Sequence, residues 1–252
     1  MTSLTITRDA AKEAGEHVSS IIHEHYGDTV VLLAGGSALD IIEYIEPGKK
    51  CFHQECQTKI SGDKKNICQR TECRTIFIMG DERVSREAEI NNYLQLESRY
   101  SSHQVKTLTM DTMPLENEST ENFAARINDT FLKKLSELNN PKIISILGIG
   151  KDGHTAGIFP MDEVSFRRVY QDDQTYVPVH VEDLKIDSRA SFTPSWLLNN
   201  TDELIGYAVG SDKKEILEKL NFDTKKLNER PSELLNLHRC ASIYTDQDID
   251  ME

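Results

Sequence analysis

Four short apolar runs punctuate the chain: TVVLLA (29–34), TIFIMG (75–80), IISILG (143–148) and ELIGYAVG (203–210). Each is unbroken rather than alternating, the pattern of a strand covered on both faces. Between them the apolar positions repeat at helical spacing. Residues 9–26 set Ala10, Ala14, Val18 and Ile21/Ile22 on one face, and 121–138 do the same with Phe123, Ile127, Phe131, Leu132 and Leu135. A shorter stretch, 213–220, aligns Ile216, Leu217 and Leu220. Strands alternating with helices predict an α/β fold: a single doubly wound, mostly parallel sheet with helices on both faces. TYVPVHV (175–181) is a further strand candidate, interrupted by Pro178.

Residues 47–74 break this rhythm. They are polar, Lys-rich and without clear period, and read as a surface insertion ahead of the second strand. No Gly/Ser/Pro-rich linker divides the rest, so one domain over 1–252 with one long excursion is expected. The insertion carries Cys51, Cys56, Cys68 and Cys73 as two C-x4-C pairs, with His53 nearby. Zinc knuckles use C-x2–4-C spacing, so two readings stand: a polar insertion that happens to hold cysteines, or a zinc or disulfide staple.

Composition narrows the partners. The 42 acidic residues against 29 basic give a net charge of -13, a field that repels nucleic-acid phosphates and anionic lipid. No stretch approaches the about 18 apolar residues of a membrane span. A small anionic substrate stays compatible, because salt screens a distant acidic surface over about 10 Å. Five cysteines, an odd number, behind the polar start MTSLTITRDAAKEAGEH predict reduced thiols in a cytoplasmic protein.

Open α/β sheets bind ligands at the carboxyl ends of their strands, which directs attention to the residues after each run. In LLAGGSALDIIEYI, Gly35 and Gly36 permit close backbone approach and Ser37 is placed to cap a helix, with Asp40 three residues on. Such a turn offers free amides to an anion, or is simply a tight strand-to-helix connection. FIMGDERVS ends a strand with Asp81, Glu82 and Arg83, either a phosphate fork or a solvated charge cluster. GIGKDGHTAGIFP (148–160) spells G-x-G-x-x-G, yet Pro160 follows Gly153 by seven residues and leaves at most a short helix, a poor fit to a dinucleotide loop. The same glycines allow a sharp turn that faces His154 into the cleft.

Taken in order, GGS, DER, G-x-G-x-D-G-H-T-A-x-x-F-P, R-x-S-x-T-P (189–194) and G-x-x-K (210–213) resemble the glucosamine-6-phosphate isomerase/6-phosphogluconolactonase family over residues 29–220. DGHTAGIFP is close to the DGHTASLFP signature of the lactonase branch, and CASIYTDQDI resembles the family's closing strand and terminal helix. The resemblance implies hydrolysis of 6-phosphoglucono-1,5-lactone without a metal or organic cofactor, by a monomer or small homo-oligomer whose partner is the phosphorylated sugar lactone. By matched motif it makes His154 the general base and sets Asp152 and Asp81 close by. Gly35, Gly36, Ser37, Arg83, Arg189 and Lys213 would hold the phosphate and orient the sugar.

Two other readings remain. Glucosamine-6-phosphate deaminases resemble D-G-H-I-A-F-N-E-P in this loop, with a carboxylate before the proline where this chain has Phe159. A non-catalytic sugar-phosphate binding protein is the other, because Ala38-Leu39 replace the family's usual Thr-Pro after GGS and VHVEDLKIDSR replaces a proline-rich approach to Arg189.

Overall fold

All four apolar runs enter one parallel sheet. The computed structural model describes residues 2–48, 73–171, 173–181 and 186–249. Its main sheet holds β1 (Ser3–Ile6), β2 (Thr29–Leu33), β3 (Thr75–Met79), β5 (Lys142–Gly148), β8 (Glu203–Ala208) and β9 (Ala241–Thr245), in the spatial order β1-β9-β8-β5-β2-β3. Every residue of β2, β8 and β9 is buried. Successive side chains feed opposite faces: Val31, Leu33, Ile144 and Ile146 join one core, while Val30, Leu32, Ile143 and Leu147 join the other. Two covered faces are why these strands read as continuous apolar runs.

The helices that cover those faces match the predicted stripes. Ala14, Val18 and Ile22 of α1 (Ala10–Glu24) pack into the first core. The second core takes Phe123, Ile127 and Phe131 of α4 (Thr120–Ser136), and Ile216, Leu217 and Leu220 of α7 (Lys214–Phe222). Shorter helices complete the set: α2 (Asn92–Arg99), α3 (Gln104–Leu108), α5 (Glu163–Val169), α6 (Pro194–Asn200) and α8 (Leu234–Leu237).

From β2 the chain steps outward to β3, then crosses back to β5, β8 and β9 on the other side. The winding therefore reverses between β2 and β5, and at such a switch the two following loops part and leave a crevice. These are the GGS and GIGKDGH loops.

The hydrophobic pattern predicts a single sheet, but a second, smaller one accompanies it. It is antiparallel, in the order β4-β7-β6, from β4 (Asp81–Arg83), β6 (Tyr176–His180) and β7 (Ser188–Phe192). The chain leaves the main sheet at Gly80, whose carbonyl accepts the Phe192 N–H at 3.2 Å, and enters β4 at once. Pro178 is tolerated because β6 is an edge strand. At the other end β9 forms as expected, but no helix follows it through residue 249: Asp246 accepts the Gly210 N–H at 2.9 Å and Ile249 is buried in the second core. Cys51, Cys56 and Cys68 lie outside the described residues, and Cys73 sits half-buried just ahead of β3.

Glu82, wholly buried at the seam of the two sheets, is surrounded by donors. Its Oε1 accepts the N–H groups of Arg83 (2.8 Å) and Asn92 (2.6 Å), and Oε2 accepts from Tyr93 N–H (3.0 Å) and the Thr112 hydroxyl (2.9 Å). Burial pushes the carboxyl up to about 8 against the pull of these donors. Glutamine keeps the shape but turns an NH2 toward two of the donors. Above pH 8, where the carboxyl is ionised, Glu82→Gln is therefore expected to lower stability by about 2 kcal/mol or more in urea unfolding. An unchanged midpoint would mean that the native side chain already carries a proton and donates.

Candidate functional site

The loop after β5 is folded back on itself by its own backbone. Gly150 N–H donates to the His154 carbonyl (2.8 Å) and Gly153 N–H to the Gly150 carbonyl (2.9 Å). Thr155 and Ile158 exchange N–H···O bonds at 3.2 and 2.9 Å, and the Thr155 hydroxyl ties back to the Gly148 carbonyl at 2.9 Å. Two residues take the left-handed conformation, Gly153 at φ 83° and Ala156 at φ 49°. The second is a strained choice for a residue with a Cβ, and the surrounding bonds hold it there. The turn is completed without any helix, which removes what a dinucleotide loop needs.

This turn sets two titratable side chains against each other. His154 Nδ1 lies 2.5 Å from Asp152 Oδ1, leaving Nε2 as the ring nitrogen open to other partners. Burial works to raise the Asp152 carboxyl, but the hydrogen bond and charge of His154 outweigh it and hold it below the usual carboxylate range. A side chain at position 150 would collide with the pair, since a Cβ there would sit 2.1 Å from His154 Nδ1 and 2.6 Å from Asp152 Oδ1.

Opposite this loop, β2 gives way to Gly35 and Gly36. Gly36 adopts φ 66° and turns the chain one residue sooner than a Ser37 cap requires. Ser37 therefore falls inside the following 3-10 helix (Gly36–Tyr44), the capping position passes to Gly35, and no side chain caps it. Gly35 has its own reason to lack a Cβ, which would lie 2.0 Å from Asn92 Oδ1.

The third wall is the small sheet. Register places Arg83 of β4 directly across from Arg189 of β7. Among the described residues each has one polar anchor: Arg83 Nη1 donates to the Ile90 carbonyl (3.1 Å), and Arg189 Nε to the Ile186 carbonyl (3.3 Å). Arg83 Nε is buried with no hydrogen-bond partner among them. Burial disfavours the Arg189 charge and Arg83 adds to that effect, while Asp81 opposes it; the balance lies below the ordinary arginine value. Facing like charges destabilise a strand pair unless an anion joins them.

These elements enclose a cleft of about 170 Å³, on the scale of a small polar metabolite rather than a dinucleotide. Of the nine residues singled out from the sequence, Gly35, Gly36, Ser37, Asp81, Arg83, His154, Arg189 and Lys213 line it, and Asp152 stands behind His154. Gly210, at φ 105°, turns the chain after β8 so that Lys213 reaches the cleft. A broader groove of about 640 Å³ between α5 and α6 has cations too, but Arg167 and Lys226 both already pair with Glu163.

Sequence reasoning missed Tyr207, which pairs with Gly148 near the carboxyl end of β8 and lines the cleft. Burial, with Asp40 and Asp246 nearby, pushes its phenol up to about 12, so it stays a neutral donor. Its place at a strand's carboxyl end was the available signal. Tyr170 was also missed, and Ser191 stood in the R-x-S-x-T-P motif without a role: Ser191 Oγ accepts Gly157 N–H (3.1 Å), and Tyr170 Oη accepts Phe159 N–H (3.1 Å) and donates to the Gly157 carbonyl (2.8 Å). No local pattern shows these contacts, because the partners are distant in sequence. Among the described residues no group of three or more His, Cys, Asp or Glu side chains is arranged for a metal ion, and no helix is long and apolar enough to cross a membrane.

A family model described as glucosamine-6-phosphate isomerases/6-phosphogluconolactonase matches residues 3–243. By sequence, no curated protein gives a significant match. Among solved structures, the 6-phosphogluconolactonase from Leishmania guyanensis is 17% identical with a TM-score of 0.67, covering 97% of this chain and 96% of that one. The Trypanosoma brucei 6-phosphogluconolactonase is 19% identical with a TM-score of 0.65, over 97% and 96%. A monomeric glucosamine-6-phosphate deaminase is 14% identical with a TM-score of 0.67, over 98% of each chain. Identity this low establishes a shared fold, and that fold is common to the lactonases and the deaminase.

Proposed function

The chain belongs to the glucosamine-6-phosphate isomerase/6-phosphogluconolactonase family, and we propose that it hydrolyses 6-phospho-D-glucono-1,5-lactone to 6-phosphogluconate, in the oxidative branch of the pentose phosphate pathway. The observation that carries this reading is the His154–Asp152 pair set across a small cleft from two facing arginines that form no ion pair with a carboxylate among the described residues. One side offers a base and the other an anion site.

In this reading Arg83 and Arg189, with Lys213 and the amides of the Gly35-Gly36-Ser37 turn, take the phosphate and fix the sugar. Asp152 holds the Nδ1–H tautomer of His154, so Nε2 accepts a proton from water as the water oxygen bonds to the lactone carbonyl carbon. The tetrahedral intermediate collapses with cleavage of the bond from that carbon to the ring oxygen, and the imidazolium returns its proton to the departing oxygen. The step as written consumes one water and uses no metal or organic cofactor.

Phe159 separates this reading from the deaminase. The position before Pro160, where the deaminase motif D-G-H-I-A-F-N-E-P has a carboxylate, holds a buried apolar ring that transfers no proton. Purified protein is expected to accelerate hydrolysis of freshly prepared 6-phosphogluconolactone and to release no ammonia from glucosamine 6-phosphate. Ammonia release without lactone turnover would favour the deaminase. Binding of 6-phosphogluconate with neither activity would make the protein a sugar-phosphate binder.

A further inference from the structure

His154 is held less firmly by hydrogen bonding than its task demands. Its side chain is 34% exposed, and its one anchored ring atom is bound to Asp152, itself 51% exposed. A hydrogen bond at one atom leaves the imidazole free to swing about that bond. A second constraint comes from Phe159, whose ring lies 4.9 Å from the imidazole centroid at an interplanar angle of 25°. One point and one plane together define the ring's orientation.

Arg189 uses the same aromatic ring. Its guanidinium carbon lies 5.1 Å from the Phe159 centroid, and its other anchor is the 3.3 Å bond from Nε to the Ile186 carbonyl. Contact with an aromatic face holds a guanidinium without consuming its in-plane N–H groups, which stay available to an anion. Phe159 is itself fixed: it is 5% exposed, and Tyr170 Oη bridges its N–H and the Gly157 carbonyl. The base side and the anion side of the cleft thus meet at one buried ring.

We propose that Phe159 is a positioning residue that fixes the imidazole of His154 and the guanidinium of Arg189 in one mutual geometry. The proposal deepens the lactonase reading and rests on it for its kinetic consequences. Small misplacements of a reacting group cost up to about 100-fold in rate. An aliphatic side chain fills space at this position without offering a plane.

The test compares Phe159→Leu with Phe159→Tyr, which keeps the flat ring. Leucine is expected to lower kcat for 6-phosphogluconolactone roughly tenfold and to raise KM about threefold through Arg189. Tyrosine should stay within about threefold of wild type in both constants, with the urea midpoints of the two variants alike. A merely structural role would make activity follow the folded fraction. Should the leucine variant not fold, Phe159→Met makes the same comparison.

A second readout needs no turnover. With selectively labelled histidine, the wild-type His154 ring signals should be narrow and shifted by the ring current of Phe159. In the leucine variant they should broaden or move toward averaged positions. Wild-type protein inactive on the lactone would overturn the functional reading alone, leaving the spectra to judge the stack. Unchanged His154 signals and wild-type kinetics in Phe159→Leu would overturn the positioning role, and so would a folded tyrosine variant as impaired as the leucine one.

Discussion

Replacing His154 with alanine is expected to lower kcat for lactone hydrolysis by roughly 10²–10⁴, the usual contribution of a general base. The side chain is a third exposed and belongs to neither core, so unfolding in urea should shift by no more than about 1 kcal/mol. KM should change little, because the groups proposed to hold the phosphate lie on β4, β7 and the loops after β2 and β8. Asp152→Asn is a milder lesion. An asparagine oxygen can still accept from Nδ1–H and keep the ring oriented, but it no longer offsets the charge on the imidazolium, so a loss nearer tenfold is expected. Rates are measured on freshly made lactone with spontaneous hydrolysis subtracted. A His154→Ala enzyme within threefold of wild type would move the base elsewhere, with Asp81 the next carboxylate lining the cleft.

How much of this was legible in the sequence follows from the range of the interactions involved. The parallel sheet was, because burial on both faces writes itself into each strand as an unbroken apolar run, and each helix shows its own stripe. Topology then put the GGS and DGH loops at the switch between β2 and β5, where the strand-end rule looks for a ligand. Of the small sheet only β6 was legible, as the strand candidate at 175–181. Its central pairing joins Arg83 to Arg189, and neither short strand announces itself by local pattern. The Ser37 cap was misjudged because the left-handed Gly36 shifts where the turn begins, and a glycine-containing string does not say which glycine takes that role. Phe159 was read by what it cannot do, transfer a proton. What it touches appears only once the loop is folded.

The pairing that the sequence hid carries the second large effect. Two arginines face each other across adjacent strands, and no carboxylate among the described residues forms an ion pair with either. Left so, burial disfavours the Arg189 cation and the facing Arg83 adds to that cost, with Asp81 offsetting only part of it. A bound phosphate reverses the sign by accepting from both. Arg83→Ala and Arg189→Ala are each expected to lower kcat/KM for the lactone about 10- to 100-fold, mostly through KM, as loss of a charge-assisted hydrogen bond worth about 1.5–3 kcal/mol requires. The double variant should lose roughly 10³-fold or more. Stability should move the other way. Without ligand, Arg189→Ala should unfold at the same or a slightly higher urea concentration, because its removal relieves the burial of a cation. Inorganic phosphate or 6-phosphogluconate should raise the melting temperature of the wild type and raise that of the variants far less, since only a ligand bound to the native state stabilises it. Equal protection of variants and wild type would take the phosphate away from this pair. Arginine variants with lowered stability and unchanged KM would make it a structural feature of the small sheet. A buried cation whose desolvation Asp81 offsets only in part gains most from an anion that both arginines can reach, so stability and affinity are expected to change in opposite directions.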